Sequence, residues 1–391
     1  MNSSSYKNYL LDCKKSINKD KKINLCSIET TDLSLDVFRN FDKVKQLASN
    51  IRYKFINEID KNLIIFDKNF TENGGNIHWC IAYDDFMEKL LRLLDKENIK
   101  STNIFSSMFT EELGVETIKD ESDIKINPKT NDSIIFAPQF GIINSGSLFL
   151  NFNSAYDMEL VLGSKLKIFV LPINDFLFKI EDIEIFSHLY SIYKNKIDYP
   201  YLTSVYTPSP LEKDNNVHLF LVDNGRSNIL ENKDIRKALT CIHCDACKKV
   251  CPVYNIIGDK PYDNIFSGPI ANVILPFTEN IESYKHLAFS SCTLCGNCSK
   301  ICPVNIPVSE LIISNKHYFF ENKYMDIQDN RLTKNLSKTL LFRNKMNAKK
   351  FIKNLKIKML LNSSITEKYI FTKSTFNQQY QINNNNESNK N

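Results

Sequence analysis

The chain has 391 residues and a mass of 45.3 kDa, enough for two ordinary domains with short extensions. Hydrophobic residues make up 42% and charged residues 24%, as in globular proteins, and the net charge of +5 is too small to indicate a nucleic-acid-binding protein. No apolar run approaches the roughly 18 residues of a membrane span. Residues 1–15 contain no apolar core of a signal peptide. We therefore expect a cytoplasmic protein.

The first 230 residues are predicted to form a helical leader, residues 1–50, and an α/β domain, residues 51–230. In the second of these, short apolar runs typical of strands alternate with helical patterns. The strand-like runs are Leu63–Phe66, Ile77–Cys80, Ser133–Phe136, Leu148–Leu150, Lys167–Leu171 and His218–Val222, and the helical segments are Asp84–Leu94 and Glu184–Lys194. Such alternation predicts a mainly parallel sheet.

The α/β segment carries no recognisable nucleotide or catalytic motif. Gly141 and Gly146-Ser147 have the spacing of a phosphate loop but lack its lysine, and no GxGxxG occurs in the chain. Gly146 is predicted to form a turn before the strand at Leu148. The six histidines are scattered, and each is expected to be structural or on the surface. We therefore assign no catalytic residue.

Eight of the eleven cysteines form two copies of one spacing, each closed by a Cys-Pro pair. The first copy is Cys241, Cys244, Cys247 and Cys251, and the second is Cys292, Cys295, Cys298 and Cys302. A [4Fe–4S] cluster needs one thiolate for each of its irons, and in two-cluster ferredoxins the fourth cysteine ligates the other cluster. The spacing predicts two clusters with exchanged ligands: Cys241, Cys244, Cys247 and Cys302 for the first, and Cys292, Cys295, Cys298 and Cys251 for the second.

Two other uses of these cysteines are disfavoured. Zinc sites are built from pairs of CxxC rather than from triplets closed by Cys-Pro. Disulfides need an oxidising compartment, which nothing in the sequence indicates. Cys13, Cys26 and Cys80 stand alone and are expected to be small hydrophobic residues.

The clusters are predicted to lie in an all-helical ferredoxin domain, residues 231–320. A capped amphipathic helix over Asn232–Leu239 is expected to lead to Cys241, and a helix is expected to begin near Val308, after Pro307.

Residues 321–391 carry a net charge of +9, and ten Lys and Arg lie between residues 331 and 360 at intervals that leave an apolar face. Residues 331–360 could form an amphipathic helix in peripheral contact with an anionic membrane or a partner, or a helix that packs on the core. The core-packing interpretation is favoured, because the whole chain is rich in lysine. Residues 383–391 are predicted to be disordered.

Several segments together resemble the lactate utilisation protein B family, the iron–sulfur subunit of bacterial L-lactate oxidation. These segments are GGNIHW (74–79), SSMFTEELG (106–114), VHLFLVDNGRSNIL (217–230), CIHCDACKKVCPVY (241–254), FSGPI (266–270) and YKHLAFSSCTLCGNCSKICPVNIP (284–307). The resemblance covers most of residues 50–320. This chain departs from its relatives at residues 143–147, where Asn144 replaces an acidic residue, and in a shortened stretch between Gly114 and Ser133.

The resemblance implies a CoA-transferase-like α/β domain of the lactate-utilisation type, followed by a helical domain with two [4Fe–4S] clusters. It also implies an electron-transfer role in the oxidation of L-lactate to pyruvate, with other subunits of a lactate-oxidation complex, electron donor and acceptor proteins or a quinone as partners, and no nucleic acid. An alternative is the iron–sulfur subunit of another cytoplasmic dehydrogenase or of a heterodisulfide-reductase-like complex. Two further hypotheses are an enzyme whose α/β domain itself binds substrate, and an iron–sulfur sensor that touches RNA.

Overall fold

A computed structural model of the chain describes residues 8, 11–15, 38, 40–196, 202–210, 216–262, 264–324 and 338. The described residues up to Tyr324 belong to one compact unit. The predictions for residues 331–360 and 383–391 lie outside the described residues, apart from Lys338. Helix Phe41–Asn57 continues through residue 50, where the helical leader was predicted to end, and the predicted domain boundaries stay predictions.

The α/β part consists of two sheets and the helices that cover them. Its helices are α1 (Phe41–Asn57), α2 (Ile59–Glu72), α3 (Tyr83–Lys96), α4 (Met108–Glu112), α5 (Ile118–Glu121), α6 (Ala155–Gly163), α7 (Asp182–Tyr190, continued by a π-helical turn, Ser191–Asn195) and α8 (Arg226–Glu231). Its strands are β1 (Asn76–Cys80), β2 (Ser101–Ile104), β3 (Lys125–Ile126), β4 (Ser133–Phe136), β5 (Phe140–Ile142), β6 (Ser147–Asn151), β7 (Leu166–Pro172), β8 (Phe176–Leu177), β9 (Thr203–Tyr206) and β10 (Val217–Val222).

The larger sheet has the order β1-β10-β7-β4-β2-β3, and every neighbouring pair is parallel. The prediction of a parallel α/β sheet is therefore confirmed. Strands β7 and β10 lie inside it and are almost entirely buried, as is typical of parallel strands covered on both faces. A second sheet, β8-β5-β6-β9, is mixed, with β6 antiparallel to both of its neighbours, and the sequence patterns did not predict it as a separate layer.

One predicted strand is wrong. Leu63–Phe66 lies within helix α2, where Leu63, Phe66 and Phe70 face the core while Ile64 and Ile65 are exposed. A run of four apolar residues fits a strand equally well when read in isolation. The spacing of Leu63, Phe66 and Phe70 is that of one helix face, and packing of that face decides the structure.

The remainder of the described chain is helical, as predicted. A 3₁₀ turn, Arg236–Thr240, precedes α9 (Ala246–Lys249), α10 (Pro252–Ile257), a second 3₁₀ turn (Lys260–Tyr262), α11 (Ala271–Thr278), α12 (Ile281–Ser290), α13 (Asn297–Ile301) and α14 (Val308–Glu321). The helix predicted after Pro307 is therefore present. In the described part of the chain, no helix is both long and apolar enough to cross a membrane.

Replacing Gly146 by alanine is expected to lower the free energy of unfolding by about 2 kcal/mol or more. Gly146 has φ +58°, and an added Cβ would lie 2.5 Å from the backbone of Asn69 and Phe70. The turn before β6 therefore requires glycine, as predicted. The control is Gly163→Ala, because a Cβ at Gly163 meets no atom within 4 Å. Urea unfolding of both variants is the measurement, and equal stability of the two would contradict this explanation.

Candidate functional site

The two cysteine loops repeat the same backbone conformation. His243 and Leu294 both have φ +56°, and Asp245 and Gly296 have φ +58° and +78°. The backbone N–H of His243 donates to Cys241 Sγ at 3.4 Å, and that of Leu294 donates to Cys292 Sγ at 3.3 Å. The sequence repeat is therefore a structural repeat, in which turns of positive φ wrap three cysteines around one point.

The fourth cysteine of each copy is held by the helix or turn that follows it. Cys251 precedes α10, and its Sγ accepts the backbone N–H of Tyr254 at 3.4 Å. Cys302 Sγ accepts the backbone N–H of Ile306 at 3.3 Å. Helix α9 contains Cys247, helix α13 contains Cys298, and the two helices contact each other. This contact carries each fourth cysteine towards the other triplet.

The first predicted set of ligands lies together. Cys241, Cys244, Cys247 and Cys302 line one small cavity. Burial raises the pKa of Cys244 to about 12, and the next largest cause is the neighbouring Cys302 thiol. The pKa of Cys247 is raised well above its ordinary value by burial and then by Cys241, Cys244 and Cys302. The fold thus places the fourth cysteine of the second copy with the first triplet.

The second predicted set is arranged in the same way. Burial raises the pKa of Cys298 to about 12, followed by the thiols of Cys292, Cys251 and Cys295. The pKa of Cys251 is raised by burial, and Cys292 and Cys295 add to the rise although the Tyr254 N–H opposes it. Cys298 and Cys251 therefore both interact with members of the predicted second set.

These two sets fit [4Fe–4S] clusters. Four thiolates held close together with little water would repel one another, and iron supplies the positive charge that makes their burial favourable. N–H···S hydrogen bonds, as at Cys241 and Cys302, are among the features that set the potential of such a cluster. In the described part of the chain, no three His, Cys, Asp or Glu side chains are grouped tightly enough for a single metal ion. A four-iron cluster distributes its thiolates over four corners instead.

The two sets differ in exposure. Cys244 and Cys302 are buried, and Cys241 and Cys247 are partly buried. In the second set Cys295 is exposed, and the neighbouring Leu294 is 45% exposed. The second set therefore lies nearer the surface than the first.

The segment that leads to Cys241 is not the predicted helix over Asn232–Leu239. Helix α8 ends at Glu231, where Asn232 turns the chain by accepting the N–H of Asp234 at 3.0 Å, and a 3₁₀ turn then runs to Thr240. Asparagine favours such a local turn over a helix interior.

The end of this turn is held by a buried arginine, Arg52 of α1. Its guanidinium donates to the carbonyls of Leu239 at 3.2 Å and Thr240 at 3.4 Å, and to Asp175 Oδ1 at 2.9 Å. Arg52 is fully buried and Asp175 is 6% exposed. Burial alone would raise the pKa of Asp175, but His243, Arg52 and Arg226 outweigh it, and the pKa lies below its ordinary value. Asp175 is therefore a carboxylate that neutralises Arg52.

A second buried ion pair, between Arg226 and Glu112, is linked to Asp175 through Asn174. Asn174 donates to Asp175 Oδ1 at 2.9 Å and accepts from Arg226 Nε at 2.7 Å. Arg226 then binds Glu112 through two parallel hydrogen bonds of 2.9 Å. Glu112, Asp175 and Arg226 follow β2, β7 and β10, whose carboxyl ends meet at one edge. This charged network links the α/β part to the loop of the first cysteine set.

Sequence reasoning missed the whole network. The available signal was the pair Asn174-Asp175 inside the apolar run from residue 166 to residue 177, where a charge needs a partner. Glu112 and Arg226 lie in two of the segments that carry the family resemblance. Asn144, which the resemblance predicts to replace an acidic residue, is exposed. The neighbouring backbone at Ile143 accepts the side-chain amide of Asn69 at 2.9 Å, which indicates a structural loop.

Two of the scattered histidines meet across the sheet. His78 Nε2 on β1 lies 2.9 Å from His218 Nδ1 on β10, and their rings stack. Burial, followed by the charges of His78 and Lys96, lowers the pKa of His218 to about 4. Since one ring nitrogen donates to the other, the accepting imidazole must be neutral.

Acidification is expected to destabilise the fold through this pair. The unfolded chain has the ordinary histidine pKa of 6.5 and binds the proton more tightly than folded His218, with its pKa of about 4. The stability that neutral His218 contributes is therefore fully present above pH 6.5 and is lost as the pH falls towards 4. His218→Gln is expected to reduce this dependence in urea unfolding at about pH 7.5 and about pH 5. The control is His317→Gln, whose side chain is 70% exposed. An unchanged pH dependence in His218→Gln would contradict the assignment.

Paired loops of this kind, each with three clustered cysteines and an exchanged fourth, define an iron–sulfur protein of the dicluster type. Residues 237–306 match the family model of the 4Fe-4S dicluster domain, which covers all eight cysteines.

The chain is similar to Lactate utilization protein B of Bacillus cytotoxicus, at 25% identity over 74% of each chain. Lactate utilization protein B 2 of Bacillus mycoides is similar at the same identity and over the same share of each chain. The resemblance to this family is thereby confirmed. A crystal structure of a DUF162 family protein from Deinococcus radiodurans aligns with 42% of this chain and 98% of its own, at 11% identity and a TM-score of 0.32.

Proposed function

We propose that the protein is a cytoplasmic electron-transfer subunit that holds two [4Fe–4S] clusters and relays electrons released when L-lactate is oxidised to pyruvate. The observation that carries the proposal is the grouping of eight cysteines into two sets of four with exchanged fourth members. Bound clusters would each accept and release one electron at a time. The curated relatives are named for lactate utilisation, which supports lactate as the source.

Each part of the chain would have a distinct task in this relay. The cysteines of the two loops hold the clusters, and the N–H groups of His243, Leu294, Tyr254 and Ile306 stabilise the thiolate charge. Arg52 fixes the backbone before Cys241. The exposed second set, at Cys295, is the side on which a protein partner could approach a cluster. Substrate oxidation is assigned to a partner subunit, and the relation of the α/β part to CoA-transferase-like folds stays a prediction.

Replacing Cys244 is expected to remove one cluster and interrupt the relay. In extracts of cells that lack the native chain, we expect wild-type protein to restore dye reduction driven by L-lactate and Cys244→Ser to restore none. Cys80→Ser is the matched control, since Cys80 is a buried cysteine outside both sets. Full activity of Cys244→Ser would contradict the proposed function. If Cys244→Ser instead abolishes dye reduction driven by a different electron donor and leaves that driven by lactate intact, the protein is better described as the iron–sulfur subunit of another dehydrogenase.

A further inference from the structure

A cavity of about 810 Å³ opens at the carboxyl edge of the parallel sheet. Its wall includes Phe105 after β2, Ala137 after β4 and Asp175 after β7. Ligands of open α/β sheets bind at this edge, and sites for small molecules occupy roughly 300–1,000 Å³. Both the position and the size of the cavity are those of a ligand site.

The cavity adjoins the first cysteine set. Met108, Ile242, His243 and Phe266 line this cavity and also the small cavity that is lined by Cys241, Cys244, Cys247 and Cys302. One layer of side chains therefore separates the two spaces. A ligand bound here would lie beside the first cluster.

Charges in the wall disfavour an anionic ligand. The guanidinium of Arg226 is occupied by Glu112, and Lys194 forms an ion pair with Asp245. The wall also contains the carboxylates of Glu111, Asp157 and Asp175. A hydroxy acid or a phosphate-bearing nucleotide needs a free cation, which this wall does not provide among its described residues.

Flat rings and unpaired polar groups indicate what the cavity can hold instead. Phe105, Phe136 and Phe152 provide aromatic faces. The Gln139 side chain, also in the wall, has both amide atoms buried without a hydrogen bond to any described residue. Tyr190 lines the same cavity. Buried polar groups nearly always have a partner, so the Gln139 amide is available to pair with a ligand, and the Tyr190 hydroxyl is a second donor in the same wall.

We propose that this cavity binds an uncharged quinone ring, with Gln139 and Tyr190 donating hydrogen bonds to its carbonyl oxygens. The proposal rests on the proposed function and adds the chemical class of the electron acceptor. A quinone becomes a quinol by gaining two electrons and two protons. The electrons would come one from each of two reduced clusters, and the protons from water at the open side of the cavity.

Equilibrium dialysis of the full-length, cluster-loaded protein against menadione tests this directly. We expect saturable binding of one menadione per chain. Tyr190→Phe and Gln139→Leu are each expected to weaken it about three- to tenfold, the effect of one lost hydrogen bond. Asn153→Trp, at an exposed position of the wall, is expected to abolish binding by filling space. Tyr53→Phe, on α1 and outside the wall, is the matched control and is expected to bind as the wild type does.

Equal binding by wild type, Tyr190→Phe and Asn153→Trp, or no binding by wild type, would overturn the proposal. Binding of riboflavin with none of menadione would overturn the quinone class. The iron content of each sample and its bleaching by dithionite are recorded alongside. If both are normal and menadione does not bind, the cavity proposal fails while the electron-transfer function stands. If the iron is absent under all loading conditions, the function itself fails.

Discussion

The double variant Cys302→Ala/Cys244→Ala is expected to retain one cluster, whereas Cys302→Ala/Cys295→Ala is expected to retain none. Cys302 lies with Cys241, Cys244 and Cys247, so the first double variant damages one set twice. The second removes one ligand from each set. The measurement is iron and acid-labile sulfide per chain after anaerobic reconstitution, with about four irons expected in the first variant and close to zero in the second.

Single variants and a non-ligand control make this test decisive. Cys302→Ala and Cys244→Ala alone should each retain one cluster, and Cys13→Ala/Cys80→Ala, outside both sets, should retain both. If each fourth cysteine instead ligated the cluster of its own triplet, the results for the two double variants would be exchanged. That outcome would contradict the ligand assignment, while circular dichroism checks that every variant is folded.

Arg52→Met is expected to lower the free energy of unfolding by about 3–5 kcal/mol, since it removes the arginine that pairs with the buried carboxylate of Asp175. It also removes the donors to the carbonyls of Leu239 and Thr240, next to Cys241. We therefore expect the first cluster to be lost more readily than the second. Urea unfolding and iron content are the two measurements.

A matched control and a rescue variant accompany this prediction. Arg92→Met removes an arginine whose side chain is 76% exposed, and it is expected to change stability by less than about 1 kcal/mol. Adding Asp175→Asn to Arg52→Met should recover part of the loss, because no unpaired charge then remains buried. If Arg52→Met lowers the free energy of unfolding by less than about 1 kcal/mol, the Arg52–Asp175 ion pair does not stabilise the segment that leads to Cys241.

How far the sequence predicts the site depends on how local the signal is. The cysteine loops could be predicted because three ligands lie within seven residues, and the turns at His243 and Leu294 repeat with them. The buried network could not, because Arg52, Glu112, Asp175 and Arg226 are far apart in the chain and meet through the order of the strands. Their charges in apolar surroundings indicated that partners exist without indicating which ones.

The fold shows the same distinction. Central strands such as β7 were predicted because long apolar runs are buried on both faces in a parallel sheet. Helix α2 was misread at Leu63–Phe66, since four residues do not distinguish a strand from a helix. The helix predicted before Cys241 was wrong because Asn232 turns the chain there, and the end of the 3₁₀ turn that follows is bound by Arg52, which lies on a different helix.

The most direct test of the whole account is to purify the protein anaerobically with its attached partners, add L-lactate and follow the visible absorbance of the clusters. We predict bleaching by lactate in the wild-type complex and a smaller bleaching, from one cluster, in Cys244→Ser. Bleaching by dithionite with no response to lactate, in a complex that still converts lactate to pyruvate, would contradict the proposed role in lactate oxidation.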